Sequence, residues 1–452
     1  MTGSDPGESP RAGIYVVDDT PGDTDDARIQ AALDAASRAG GGRVLLSGRT
    51  YTVTRTLVIP TRVTLAGTGA GQTVLLVAPG LNADLARSQG FETLTGTNQA
   101  AGPTDVLLTD LTLDGNQGAN TRGNGLSKYG YTWRLVNVVV RNCAGDGIYS
   151  EWSTYGGAPP GGDGMEDQWV NVKVHDCGGN GVTFRGPHDS QWSNVIVYNL
   201  GKNGVSVEAT SDYTGGGLAF TNLHVWQLFG AGDAFSADTT VFGSSLYVEG
   251  AFQGTGLALS GGGSRIDGLF SFMNKVGVLL SGPGNIVTSL DCELGDANGH
   301  PDVGRAGVLI LANDQYLTGI VGGVQTGLQL GDADHAVSGV MVDVHFLNCT
   351  GPALNYANPG NAFNTVRGYI WSGASAFVAG SAPAATDSWD VTGGGPEAPF
   401  SLVTRPGGVA PGLTTGTAFP ASAPVGTLLT DPAGSRLFLC VAPGVWKSVT
   451  LS

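Results

Sequence analysis

Four ionisable residues recur at one register of a repeating sequence: Glu151, Arg185, Glu208 and Asp238. Each stands four residues after a small residue that closes a turn, namely Gly147, Gly181, Gly204 and Ala234. Carboxylates held on a rigid frame can do acid–base chemistry on a sugar polymer. One protonates a leaving oxygen while the other activates water or attacks. If the column runs across adjacent strands, Glu208 and Asp238 lie roughly 5 Å apart, and Glu151 and Glu208 roughly 10 Å apart. Separations of about 5 Å suit a retaining glycosidase and about 6.5–9.5 Å an inverting one. Side-chain direction blurs both figures, so both outcomes stay open. Glu208 and Asp238 form the preferred catalytic pair, with Glu151 as alternative partner. Arg185 would position an acidic sugar or tune a carboxylate. A lyase acting on uronic acids is the chemical variant, with Arg185 neutralising the substrate carboxylate. The plain alternative is a solvated ladder in which Arg185 only neutralises Glu151 and Glu208.

Long insertions border this column: "STYGGAPPGGDGMEDQ" after Trp152, "GPHDSQ" after Arg185 and "ATSDYTGGG" after Glu208. Trp152, His188, Asp212 and Tyr213 are the candidate substrate contacts there, since loops on one side of a rigid frame commonly carry sites. Asp163, Glu166 and Asp167 could hold Ca²⁺ through oxygen ligands, although a polar turn is the plainer reading. The pattern calls for no other metal and no organic cofactor.

The frame that positions these residues is itself written in the sequence. The small anchors are Gly125, Gly147, Gly181, Gly204, Ala234, Gly256, Gly277, Gly307 and Gly327, with spacings of 22, 34, 23, 30, 22, 21, 30 and 20. Such a period marks a solenoid with loop insertions. After most anchors the first and third residues are apolar, as in Val182 and Phe184, Val205 and Val207, Leu257 and Leu259. That alternation is a strand with one buried face. A second strand, "NVVV", "NVKV", "NVIV" or "NLHV", precedes the anchor. Two or three short strands per turn of about twenty residues predict a parallel β-helix. Asn137, Asn171, Asn194 and Asn222 share a column, read as an amide ladder bonding the next coil's backbone. Cys143 and Cys177 share another and read as buried packing residues.

The preceding strand presents two outward rows: Arg141, His175, Tyr198, Trp226, Glu249, Phe272, Glu293, and Val139, Lys173, Ile196, His224, Tyr247, Phe270, Asp291. Their aromatic members would form an apolar patch that needs covering. Trimer packing is one cover. A sugar-stacking groove is the other, with Trp226 and Tyr247 as platforms and Asp291 and Glu293 as a second candidate dyad.

Upstream, "GDTDDARIQAALDAASRAGGG" reads as a helix capped by Asp23 or Thr24, with Ile29, Leu33 and Ala36 on one face and Gly40–Gly42 as the stop. The stretch "DDTPGDTDDARIQAALDAA…GGGRVLLSGRTYTV…LVIPTRVTLAGTG" resembles the cap and first coils of the pectate-lyase-like right-handed β-helix superfamily, phage tailspikes included. The resemblance implies an all-β, right-handed parallel β-helix with a helical cap, and it leaves the reaction open. "GTGAG" at Gly67–Gly71 is followed by "QTVLLV" rather than a helix, which excludes a dinucleotide loop. The tail "APVGTLLTDPAGSRLFLCVAPGVWKSVTLS" alternates around a Pro-Gly turn and is similar to C-terminal tip segments of phage tail fibres and spikes. A tip this small implies association, with a homotrimer expected. The organisation read from this is an arm at 1–13, cap and first coils at 14–100, β-helix at 101–373, an extended linker at 374–420 and a tip at 421–452.

Composition agrees. The chain has 452 residues, of which 74 are Gly and 13% charged, and carries a net charge of −16. Acidity argues against nucleic acid or an acidic membrane surface as partner. No apolar run spans a bilayer, and the start lacks a signal-peptide pattern. Five cysteines form no CxxC pattern and no even framework. The expectation is a virion tailspike-like protein that binds and cleaves a bacterial surface polysaccharide and joins other tail proteins through its N-terminus. The alternatives are a non-enzymatic receptor-binding tail fibre and a secreted bacterial polysaccharide-degrading enzyme.

Overall fold

The computed structural model describes residues 13–97, 101–152, 166–186, 189–210, 217–227, 231–293, 300, 302–371, 376–381, 383–393, 400–404, 413–415, 428–430, 436–442 and 445–450. The fold is an all-β parallel solenoid of about 13 turns with few helices. The chain divides into two compact units, Met1–Gly230 and Ala231–Ser452.

In the first unit the strand Gly13–Val16 and a short 3-10 turn, Val17–Asp19, lead into the helix Asp25–Arg38. Thr24 caps it, its side chain accepting from the Ala27 N–H at 3.3 Å. Ile29, Ala32, Leu33 and Ala36 are buried, and Gly40 and Gly41 carry the chain out at φ of 83° and 134°. Strand Val63–Ala66 and strand Val74–Val77 flank the "GTGAG" turn, with no helix between them.

Each coil of the first unit adds a short strand to one sheet and a longer one to another. The short strands are Leu57–Ile59, Ala86–Ser88, Leu126–Tyr129, Ile148–Glu151, Val182–Arg185 and Val205–Glu208, all parallel and in register. The longer ones include Val106–Asp114, Trp133–Arg141, Gln191–Leu200 and Leu218–Trp226. In the second unit the short series runs from Phe235–Ala237 to Ala376–Gly380. The longer series runs from Val241–Glu249 to Ser388–Gly393, where Phe400–Thr404 joins antiparallel. Thus the interval read as a linker contains strands, the first of them paired with Pro352–Tyr356. Leu413–Thr415, Leu428–Thr430, Arg436–Ala442 and Val445–Thr450 form a separate small sheet.

The anchor glycines answer a packing demand. A Cβ on Gly147 would sit 2.2 Å from Val174 Cγ1 and 2.7 Å from the carbonyl oxygen of Gly181. Gly125 and Gly181 meet the same obstacle from Val140 and Val197, each at 2.3 Å. The small residue therefore lets one coil lie on the next. Gly147→Ala should lower stability by about 2–3 kcal/mol through overpacking, read from the urea midpoint. An unchanged midpoint would sink this account of the period.

Asn137, Asn171, Asn194 and Asn222 turn out to be corners. All four have φ of 54° and interrupt long strands. The left-handed residue bends the strand so that Leu135 and Val138, three apart, both face the core. Asn tolerates this conformation, which explains its recurrence. The ladder also differs from the expected one. Side chain bonds side chain, Asn171 Nδ2 donating to Asn137 Oδ1 at 3.1 Å, Asn194 to Asn171 at 3.2 Å and Asn222 to Asn194 at 2.7 Å. Asn137 donates to Asp110 at 2.9 Å, and bonds from Thr109 and then Asn137 hold the Asp110 carboxyl below its ordinary pKa. Asn194→Ala should cost about 1–2 kcal/mol, for the left-handed strain and the lost bonds together. Asn194→Gly should cost less, because only the bonds go. Equal midpoints for the two variants in urea would show that the corner carries no strain.

Cys143, Cys177, Cys292 and Cys349 are buried free thiols. Among the described residues no helix is long and apolar enough to cross a membrane.

Candidate active site on the short-strand sheet

Register places Tyr129, Glu151, Arg185 and Glu208 side by side on four adjacent coils of the first unit. Arg185 Nη1 lies 3.0 Å from Glu151 Oε2, and its Nε lies 3.1 Å from Glu208 Oε2. The second contact is an ion pair without a directed hydrogen bond, since the Nε–H has no aligned acceptor. Glu151, Arg185 and Glu208 thus stand in one column, and Arg185 bridges both carboxylates, as in the plain alternative.

Glu151 departs from expectation. Alternation makes it outward-facing, yet only 1% of its surface is accessible. The reason is a segment that alternation cannot foresee. A short helix, Phe91–Leu94, and the turn after it lie over this strand. Gly96 donates its N–H to Glu151 Oε1 at 2.6 Å, and the Phe91 ring meets the Tyr149 ring edge-on at 5.8 Å. Tyr149 donates to Glu151 Oε2 at 2.5 Å and accepts from Arg185 Nη1 at 3.2 Å. Burial, and then the bond to Glu151, push the Tyr149 phenol up to about 12. The Arg185 guanidinium is raised by its bond to Tyr149 and then by the charges around it. With three donors on its two oxygens, the Glu151 side chain is fixed and covered.

Glu208 is the accessible carboxylate of the cluster. Its side chain is 35% exposed, beside Arg185 at 33%. Ser206 donates to its Oε1 at 3.0 Å, so one oxygen is oriented by the strand and the other faces the cation. Asp238 lies in the second unit, exposed just beyond strand Phe235–Ala237. His188, Asp212 and Tyr213, like Asp163, lie outside the described residues. Trp152 is buried against Tyr131, ring centroids 4.7 Å apart. A substrate contact from Trp152 thus requires that cover to move.

Spacing passed over Lys128 and Asp167 as a pair. Lys128 occupies the inward third position after its anchor, opposite Ser150 on the next coil. The small serine leaves room for the lysine stem. Its Nζ lies 2.6 Å from Asp167 Oδ2 and donates to the Gly130 carbonyl at 2.8 Å. Asp167 Oδ1 accepts from the Trp133 N–H at 2.8 Å. Burial lowers the ammonium and raises the carboxyl, and each is opposed by its partner's charge. A lysine at an inward position was the available signal. The pair also takes Asp167 out of the suggested Ca²⁺ cluster, because its carboxylate is already committed to Lys128 and Trp133. Among the described residues no group of three or more acidic, His or Cys side chains is placed to hold a metal.

The outward rows of the longer strands are in the predicted register: Arg141, His175, Tyr198 and Trp226 in the first unit, and Glu249, Phe272 and Glu293 in the second. The rings are half-buried rather than exposed, because they cover one another. His175 stacks on Tyr198 at 4.7 Å, and Tyr198 lies 5.9 Å from Trp226. Tyr247 meets Phe270 edge-on at 4.7 Å, and burial followed by its bond to Glu249 raises its phenol to about 12. The most exposed large apolar side chains among the described residues are instead Ile14 at 70% in the first unit, and Phe363 at 67%, Trp371 at 55% and Met341 at 51% in the second.

This fold is the parallel β-helix found in phage tailspike proteins and in mannuronan epimerase modules. The chain superposes on the A-module of mannuronan C-5 epimerase AlgE6 of Azotobacter vinelandii with a TM-score of 0.54 and 17% identity, covering 85% of this chain and 100% of that one. The N-terminal fragment of gene product 12 of bacteriophage Phi29 gives 0.57 at 12% identity, over 89% and 73% of the two chains. The Dettilon tailspike protein gives 0.52 at 12% identity, over 95% and 76%. In sequence, alginate lyase 7 of A. vinelandii is 39% identical over 113 residues, 23% of this chain and 12% of the relative. Mannuronan C5-epimerase AlgE5 of the same organism is 37% identical over 109 residues, 22% and 10%. The chain thus spans about a tenth of the length of these curated relatives. No protein-family model matches it.

Proposed function

We propose that this protein binds and hydrolyses a bacterial surface polysaccharide, as a tailspike-like virion component. The observation that carries the reading is the ladder Glu151–Arg185–Glu208 on an outward sheet face, with Glu208 the carboxylate open to solvent. Polymer-acting relatives and tailspike neighbours on the same fold support a glycan as ligand.

The ladder also favours hydrolysis over elimination. A lyase in which Arg185 neutralises the uronate carboxylate needs that guanidinium free. Here Arg185 is already held between two carboxylates, so the cluster carries net negative charge. Glu208 would act as the base or nucleophile, a role suited to a carboxylate kept beside a guanidinium, while a second carboxyl group gives the leaving oxygen its proton. Glu151 and Tyr149 would hold Arg185 in place. The test compares wild type with Glu208→Gln on host glycans, and Asp238→Asn is the matched change in the second unit. Activity retained in Glu208→Gln would remove this site from the chemistry.

Assembly belongs to the same proposal. Phe363, Trp371 and Met341 expose apolar surface that a homotrimer would cover. Light scattering at low micromolar concentration should give about three chains' mass. A monomer with an intact tail would rule the trimer out.

A further inference from the structure

The longer-strand face of the second unit carries chemistry that hydrolysis at Glu208 does not use. Phe270 and Phe272 point outward from strand Arg265–Phe272, their centroids 5.9 Å apart and the rings inclined by 28°. On the next coil Asp291 is the register partner of Phe270, and Glu293 of Phe272. On the coil beyond, Ile320 faces Asp291 and Gly322 faces Glu293. Each carboxylate therefore sits between an aromatic ring on one side and an aliphatic side chain or bare backbone on the other. Asp291 and Glu293 make no ion pair among the described residues. The outward charges of strands Arg265–Phe272 and Ile286–Glu293 are three carboxylates, Asp267, Asp291 and Glu293, against one guanidinium. That guanidinium, Arg265, starts its strand five residues before Phe270, roughly 15 Å away.

Two π faces edged by uncompensated carboxylates attract a cation. The ring quadrupole and the carboxylates act in the same direction, and a flat apolar ring also accepts the C–H face of a sugar. An acidic glycan is repelled by the same set. A neutral one gains stacking but leaves the carboxylates without a charged partner. We propose that this face is a binding surface for an ammonium-bearing glycan, an amino-sugar polymer whose free amines meet Asp291 and Glu293 while its rings lie on Phe270 and Phe272.

The test uses the full chain and two probes, a β-1,4-linked glucosamine hexamer and its fully N-acetylated counterpart, titrated by calorimetry at about pH 6, where the free amines carry charge. The deacetylated hexamer should bind at least about tenfold tighter, and raised salt should erase the difference. Phe270→Leu, which keeps an apolar side chain, should weaken binding about tenfold. Asp291→Asn with Glu293→Gln should abolish the preference. Glu208→Gln should bind like wild type, so the failure of this surface and the failure of the proposed hydrolytic site are separable. Equal affinity for the two hexamers, no binding of either, or an unaffected Phe270→Leu overturns the proposal. So does binding that disappears as protein concentration rises, because the face would then be covered by a second copy.

Discussion

Glu208→Gln should lower turnover on the cognate polysaccharide by roughly 10²-fold or more, with glycan affinity unchanged. The substitution keeps the shape of the side chain and an acceptor for Ser206, which donates at 3.0 Å. It removes the charge that faces Arg185 at 3.1 Å. Because the pair is accessible, its loss should leave the unfolding midpoint almost where it was. Kinetics on purified polymer, together with a binding titration, separate the effects. A raised KM at full kcat would make Glu208 a binding group only, and a collapse of both stability and binding would make it structural.

Lys128→Met should destabilise the first unit by about 3–5 kcal/mol, the cost of leaving one partner of a buried ion pair uncompensated. Methionine matches the lysine stem in length and fills the space opposite Ser150, so the loss reports charge rather than volume. Asp167 would remain buried with the Trp133 N–H as its polar partner on that oxygen. Urea unfolding followed by far-UV circular dichroism measures this. A shift below about 1 kcal/mol would show that the pair is no more than a neutral filler.

Much of the frame was legible because it repeats. The anchors, the apolar pairs after them and the rows before them fall in register across coils, and Glu151, Arg185 and Glu208 are neighbours as spacing required. Repetition reports what every coil shares. It is silent on what one coil does alone. The cover over Glu151 comes from Phe91 and Gly96, more than fifty residues earlier in the chain, in a segment with no repeat signature. The Lys128–Asp167 pair is likewise a single event at one corner. The corner role of Asn137 and its equivalents was hidden for another reason. A left-handed residue inside a strand shifts the inward positions from every second residue to a gap of three, and "NVVV" looks like a plain strand beginning. Rings that read as exposed became half-buried because the stacking that aligns them also covers them.

The most direct test of the central claim is the product of the wild-type protein acting on polysaccharide from candidate hosts. New reducing ends and the absorbance of unsaturated sugars are followed in the same digest. The account predicts reducing ends without unsaturated product, lost in Glu208→Gln. Unsaturated product would mean elimination and would contradict the reading of Arg185 as a committed partner. Tight binding with neither product would contradict catalysis altogether and leave a receptor-binding spike.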